Sequence, residues 1–585
     1  MKTNHNKTIK RPSYLLLLLI VTLAAMLVHQ LVTAQSCAPN IADFTSVNPN
    51  SRGETLQLPP SHTFQKIFKS GDEFSNGTTP FFNVDFAGYV PINNSNTKGY
   101  LSINNEWIPG GVAILDIEFN KNNDKLWSVS NMVNIDFSAV GGTNRNCSGA
   151  VTPWGTIISS EEIVNNCNEN RDTYQQSGWQ VEVDPASKTV VGKHYAMGNF
   201  AHENAAILQQ ENRTVAYQGA DQNDGYLFKF VSFQKNDLSN GDLYVYKGPK
   251  GLGTGSWVKI DNQTIEDRNC TIQLALEKQA TVFNGVEDVE IGIDGLIYFA
   301  VKNENRVYYL EDTNPLGAGQ VNFKGTYVGG RNYEITLSDN SRVNEAWGVG
   351  NDNLAFDNEG NLWVFQDGGK HHIWLVKNGH TPSNPQVEIF ATTPNGSEPT
   401  GITFSPDNRF MFISIQHPNY TNQQTLADAT GNVVVFNEGI TLVIARNEHL
   451  GYNNTLLGCT NRAACNFNVL ATVPDCSCIF MGNVCTDNNP ETINDTYNES
   501  CNCVGEQACK TDVLIKANAA PNNTPLQNLY ESSKAISTEV TTSNSVDVII
   551  NKNETVNLKS DYIKLNEGFK VENGGCLNAE IEPCK

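Results

Sequence analysis

Five acidic positions, each in an unusual local run, are the residues of this 585-residue chain whose types and spacing could do chemistry. Thr152-Pro153-Trp154-Gly155-Thr156 leads into Ser160-Glu161-Glu162, and Glu203 lies within Phe200-Ala201-His202-Glu203-Asn204-Ala205-Ala206. Glu287 follows Gly285-Val286 and precedes Asp288, Asp352 opens Asp352-Asn353-Leu354-Ala355-Phe356, and Glu398 opens Glu398-Pro399-Thr400-Gly401. Converging carboxylates repel one another unless a cation neutralises them, and such oxygen-rich sets suit calcium. Other familiar machinery is absent from the sequence. There is no Gly-x-Ser-x-Gly elbow and no phosphate loop ending in Gly-Lys-Ser/Thr. His202-Glu203 is not a zinc-protease helix, because position 206 is Ala. Gly251-x-Gly253-x-Gly255 has no strand-turn-helix pattern around it and reads as a loop.

The elements that must position these acids are strands. Residues 35–455 carry almost no amphipathic helix pattern, but a polar turn followed by β-branched and aromatic residues recurs along them. It occurs at Asn123-Asp124-Lys125-Leu126-Trp127, Asp294-Gly295-Leu296-Ile297-Tyr298, Asn358-Glu359-Gly360-Asn361-Leu362-Trp363 and Asp407-Asn408-Arg409-Phe410. Repeated turn-then-buried-strand units predict an all-β β-propeller, whose inner strands converge on one axis. A large β-sandwich is the alternative.

Composition bounds the rest. A net charge of -22 excludes nucleic acid as a natural partner, because phosphate binding needs surplus Lys and Arg. Residues 1–34 read as a signal peptide: Lys2, Lys7, Lys10 and Arg11 precede an apolar run, and Val32-Thr33-Ala34 suits cleavage. No later segment is apolar enough for a transmembrane helix, so a secreted or cell-surface protein is expected. Ten of the 14 cysteines follow residue 458, which predicts a disulfide-stapled segment over 456–509. Zinc at Cys476-x-Cys478 and Cys501-x-Cys503 is the rival there. Alternating sets such as Val546-x-Val548-x-Ile550 and Phe569-x-Val571 predict a small C-terminal β-roll or β-coil over 510–585.

One resemblance is specific. Asn146-Cys147-Ser148-Gly149-Ala150-Val151-Thr152-Pro153-Trp154-Gly155-Thr156 through Glu161-Glu162 resembles the signature of the PhoX family of secreted alkaline phosphatases. Gly178 to Pro185, Phe200 to Ala206, Asp224 to Ser232, Glu287-Asp288, Asp352 to Phe356 and Phe404 to Pro418 continue the likeness in order. It implies a six-bladed propeller over 35–455 that hydrolyses phosphate monoesters, using a metal-activated water or oxo group at the axis. Small organic phosphate esters are the implied partners. The implied metal ligands are Glu161, Glu162, Glu203, Glu287, Asp352, Asn353 and Glu398, with Glu287, Glu203 and His202 catalytic. Calcium is the implied metal. Iron is the weaker expectation, because this chain has Ser160 where the family thiolate is expected, just before Glu161-Glu162. An arginine that would clamp phosphate is likewise replaced by Gly285. Gly458 to Cys478 resembles a cysteine repeat common in secreted proteins of Bacteroidetes, and the strand-rich 510–585 tail resembles tails on surface proteins of that phylum, which implies a spacer or an attachment to a cell surface or matrix.

Overall fold

The computed structural model describes residues 40–451, apart from 79–80, 123–124 and 168–171, together with much of 457–505 and isolated strand backbones beyond. The expected signal peptide, the Asn123-Asp124 turn and Cys476 lie outside the described residues. Chain contacts divide the protein into a compact unit over 39–454 and a second that includes 455–585.

The first unit is a β-propeller. Four four-stranded antiparallel sheets begin at the inner strands Val84–Pro91, Asn146–Val151, Asn351–Phe356 and Glu398–Phe404. A nine-stranded sheet holds two further runs of four, with inner strands Ala206–Gln210 and Val286–Ile291, joined through Gly253–Ile260. Counted that way, the sheets form six four-stranded units. The N-terminal strand His62–Lys69 pairs with Ile440–Arg446, so the last unit takes its outer strand from the start of the chain. That pairing closes the ring without leaving an open edge there.

The recurring polar turn has a physical reason. Asp357 Oδ1 accepts from the backbone N–H of Asn361 at 2.9 Å, and its Oδ2 accepts from Trp363 Nε1 at 3.0 Å. One carboxylate thus closes the turn and satisfies the indole that the next strand buries. Asp294 does the same for Leu296 N–H and the Tyr298 hydroxyl. Between sheets the core is aromatic and aliphatic: Trp363, Phe365, Phe390 and Ile413 pack in one cluster, and Tyr246, Phe283, Phe299 and Phe323 in another. Gly253 and Gly255, expected in a loop, lie in the joining strand. A Cβ at Gly255 would sit 2.6 Å from the Tyr246 ring, so glycine permits that close packing.

The second unit is stapled by Cys459–Cys478, Cys465–Cys501 and Cys485–Cys503, as a disulfide-rich segment requires. Cys478, Cys501 and Cys503 are therefore not zinc thiolates. Farther on, the strands pair in parallel, Asp512 with Ala535 and Thr555 with Cys576, which is the pairing of a coil.

Candidate metal centre

The six inner strands share one irregularity. Each has a single residue more than its partner strand, between Val84 and Ala87, Asn146 and Gly149, Val286 and Val289, Asn351 and Leu354, or Thr400 and Ile402. In the Ala206–Gln210 unit the same slip separates the His202–Ala220 bridge from the Ala206–Tyr217 pair. A bulge breaks the two-residue alternation and re-aims the side chains beside it. Asp85, Cys147, Glu203, Glu287 and Asp352 each come directly after the paired residue that opens the bulge, and all five are buried.

These side chains meet in two groups. Asp85, Glu106 and Cys147 offer donor atoms within 4.8 Å of one another, and so do Glu203, Glu287 and Asp352. Cys147 links the groups: its Sγ lies 3.3 Å from Glu203 Oε2 and 3.6 Å from Asp85 Oδ2. Neutral groups hold the carboxylates in place. Gln416 Nε2 donates to Asp85 at 2.9 Å and to Glu106 at 3.0 Å. Asn353 accepts from Gly401 N–H at 2.8 Å and turns its amide toward Ser148, whose hydroxyl donates to Asp288 at 3.0 Å.

Among the described residues, two basic side chains lie within ion-pair distance of this cluster. Lys302 Nζ is 3.1 Å from Glu287, 3.3 Å from Asp367 and 3.9 Å from Asp352. Arg145, at the rim, is 3.6 Å from Glu106 and 3.8 Å from Glu162. The balance stays strongly negative. Burial and then the Glu106 charge push Asp85 up to about 8, and the same two causes push Glu162 to about 9. Burial, against the pull of Lys302, holds Asp352 at about 7. Glu203 and Glu287 are held well above the carboxylate range by burial first and neighbouring acids second, and the Cys147 thiol is raised by the same causes. Glu287 Oε1 is buried and faces the Lys302 ammonium at 3.1 Å. Buried carboxylate oxygens short of counter-charge, with a thiol among them, form a donor set that fits multivalent cations.

The structure brings together Glu203, Glu287, Asp352 and Asn353 from the expected residues, with Glu162 at the rim. Glu398 lies one step out: burial and a hydrogen bond with Asp367 raise its carboxyl, and His417 is 3.4 Å away. Glu161 is elsewhere. Its fully buried carboxylate accepts from Lys193 Nζ at 2.9 and 3.1 Å and from Thr143 Oγ1 at 2.9 Å, so it is already satisfied within its own sheet. His202 faces Gln180 and the Gly198 carbonyl, and burial lowers it to about 3, which leaves a neutral imidazole without a carboxylate partner. Ser160 donates to Gln180 at 2.7 Å. A thiol does lie in the cluster, that of Cys147, the one free cysteine among the described residues.

Sequence reasoning missed Asp85, Glu106 and Cys147. Val84-Asp85-Phe86, Asn146-Cys147-Ser148 and Val286-Glu287-Asp288 are equivalent places in three inner strands, and aligning those strands on their turns would have exposed two of the three. Glu106 follows Asn105, the last residue of a second strand, and has no such marker. Lys302 reaches the cluster, whereas Arg342 pairs with the exposed Glu334.

A family model described as alkaline phosphatase PhoX matches residues 127–419. Among solved structures, Pseudomonas fluorescens PhoX in complex with vanadate, a transition state analogue, is 19% identical with a TM-score of 0.55, covering 69% of this chain and 98% of that one. Penicillium chrysogenum alpha-L-arabinanase is 11% identical with a TM-score of 0.34, covering 66% of this chain and 98% of its own. Virginiamycin B lyase from Staphylococcus aureus is 10% identical with a TM-score of 0.30, covering 66% and 99%. No curated protein matches the sequence.

Proposed function

The chain belongs to the alkaline phosphatase PhoX family, and on that premise we propose that it is an exported, metal-dependent hydrolase of small organic phosphate monoesters. The observation that carries this reading is the convergence of Asp85, Cys147, Glu203, Glu287 and Asp352 from equivalent bulges of five inner strands. Glu203, Glu287 and Asp352 would hold calcium as oxygen donors, with Asn353, Glu162 and Glu398 in support. Cys147 with Asp85 and Glu106 would hold iron, for which a thiolate is a far better ligand than a hydroxyl. Bound metal ions supply Lewis-acid polarisation of the phosphoryl group and an activated water.

The chain's own residues do the positioning. Bulged inner strands fix the carboxylates, so no reorganisation is needed as charge develops on the phosphoryl oxygens. Gln416 and Thr400 orient Asp85, and the Asn353 amide faces Glu203, through hydrogen bonds. Because the cluster carries bound protons when no cation balances it, metal binding expels protons and tightens as pH rises, which suits an alkaline optimum. His202 and Glu161 serve the frame. Export through the segment ending near Ala34 agrees with four described disulfides, which need an oxidising compartment. The tail would attach the enzyme to a surface or matrix.

The test is turnover of p-nitrophenyl phosphate beside bis(p-nitrophenyl) phosphate by the metal-loaded mature protein. The monoester is expected to turn over faster by about tenfold or more, a difference of about 1.4 kcal/mol in transition-state binding. Faster diester turnover would move the reading to a phosphodiesterase.

A further inference from the structure

We infer that Lys302 is the residue that receives the substrate's phosphoryl oxygen, beyond its part in balancing the carboxylates. The inference rests on the phosphatase reading and deepens it. Lys302 stands at the end of the strand Ile297–Val301, where its backbone N–H donates to the Gly285 carbonyl at 2.9 Å. Gly285 makes that approach possible. Its φ is +80°, and a Cβ there would lie 2.8 Å from Asp221 Oδ1 and 3.4 Å from Lys302 Cβ. The Lys302 stem is therefore anchored while its ammonium reaches into the cluster.

Three carboxylates share that ammonium, Glu287 at 3.1 Å, Asp367 at 3.3 Å and Asp352 at 3.9 Å. Two of the three belong to the Glu203, Glu287, Asp352 donor set. Once those two carboxylates serve cations, the charge they offer Lys302 is largely spent, and the ammonium becomes a cation beside cations. The remaining demand is for an anion in the same place. Lys302 also has somewhere to receive one. Its side chain is 29% exposed while Glu287 is 1% exposed, and it lines an open cavity of about 560 Å³ with Asp221, Gln222, Asn223, Asp224 and Asn303. An ester whose phosphoryl group lay between the donor set and Lys302 would have its alcohol portion in that cavity. An ammonium with three N–H donors can hold two phosphoryl oxygens and still keep Asp367.

The alternative role is a buried counter-ion that only keeps the carboxylates from repelling one another. Lys302→Met, Lys302→Gln and Lys302→Arg in the full mature chain separate the two. The readouts are metal bound per chain, calorimetric affinity for inorganic phosphate, and KM and kcat for p-nitrophenyl phosphate. The expected result is full metal content in the Met variant, with phosphate affinity weakened about 10- to 100-fold, KM raised by a similar factor, and most of both restored by Arg. The Gln variant supplies the same reading if the Met variant does not fold. Unchanged phosphate affinity at full metal content overturns the inference. So does loss of metal in the Met and Gln variants, which would make Lys302 a positioning residue for the carboxylates. A parent protein that turns over substrate while the variants bind phosphate normally sinks this inference alone. A parent that neither turns over nor binds phosphate sinks the phosphatase reading with it.

Discussion

Replacing Cys147 by serine is expected to strip the centre of its thiolate-bound metal and to lower p-nitrophenyl phosphate turnover by more than the roughly 10- to 100-fold typical of losing a group that only orients a ligand. The thiol is buried between Asp85 and Glu203, and its sulfur touches both donor groups. Serine keeps the size and the hydrogen bonds, so stability should change little. What it loses is a soft sulfur donor, and iron retention should fall further than calcium retention. Ser160→Ala is the control, because Ser160 serves Gln180 and should leave metal content unchanged. Elemental analysis of the purified variants, paired with turnover, checks both. A Cys147→Ser protein with full metal and full rate would remove Cys147 from the centre.

Glu287→Gln and Glu161→Gln should fail in opposite ways. Glu287 is held in a repelling cluster, raised by burial and neighbouring acids, and shares the Lys302 cation with Asp367 and Asp352. Its amide relieves repulsion, so the metal-free variant should melt at or above the parent temperature. Turnover should nevertheless fall roughly 100- to 1,000-fold, the range for removing one preorganised group at a site of developing charge. Glu161 is the reverse. Its amide leaves Lys193 as a buried, uncompensated ammonium and should cost about 3–5 kcal/mol of stability, while metal bound per folded chain stays at the parent value. Thermal melts of chelated protein and metal counts on the same samples distinguish the two. Equal effects of both substitutions on metal content would return Glu161 to the ligand set.

That pair of glutamates shows what was legible in the sequence and what was not. The propeller was legible because its repeated turn has a local cause: Asp294 and Asp357 each close a turn and satisfy an aromatic side chain of the following strand. Glu203, Glu287 and Asp352 were legible as acids just before core strands. Glu161 has the same residue type in a similar run, but its fate was decided by Lys193, which lies 32 positions along the chain and meets it across the sheet. No local pattern announces that meeting. Bulges were equally silent, since one extra residue in a strand changes neither composition nor periodicity enough to read. Their effect is large all the same, because they put Cys147 at the axis and leave Ser160 beside Gln180. The disulfide Cys167–Cys270 removes two of the other early cysteines from consideration, a pairing that spacing alone does not specify.

The most direct test of the central claim is to chelate the mature protein, verify that it remains folded, and add back calcium, iron or both while measuring bound metal and p-nitrophenyl phosphate turnover on the same samples. Turnover should vanish in the stripped protein and return in proportion to metal bound, with calcium plus iron exceeding calcium alone. A folded, metal-free protein that keeps its full rate, or a fully loaded one that never turns over the ester, would contradict a metal-dependent phosphatase built on this axial cluster.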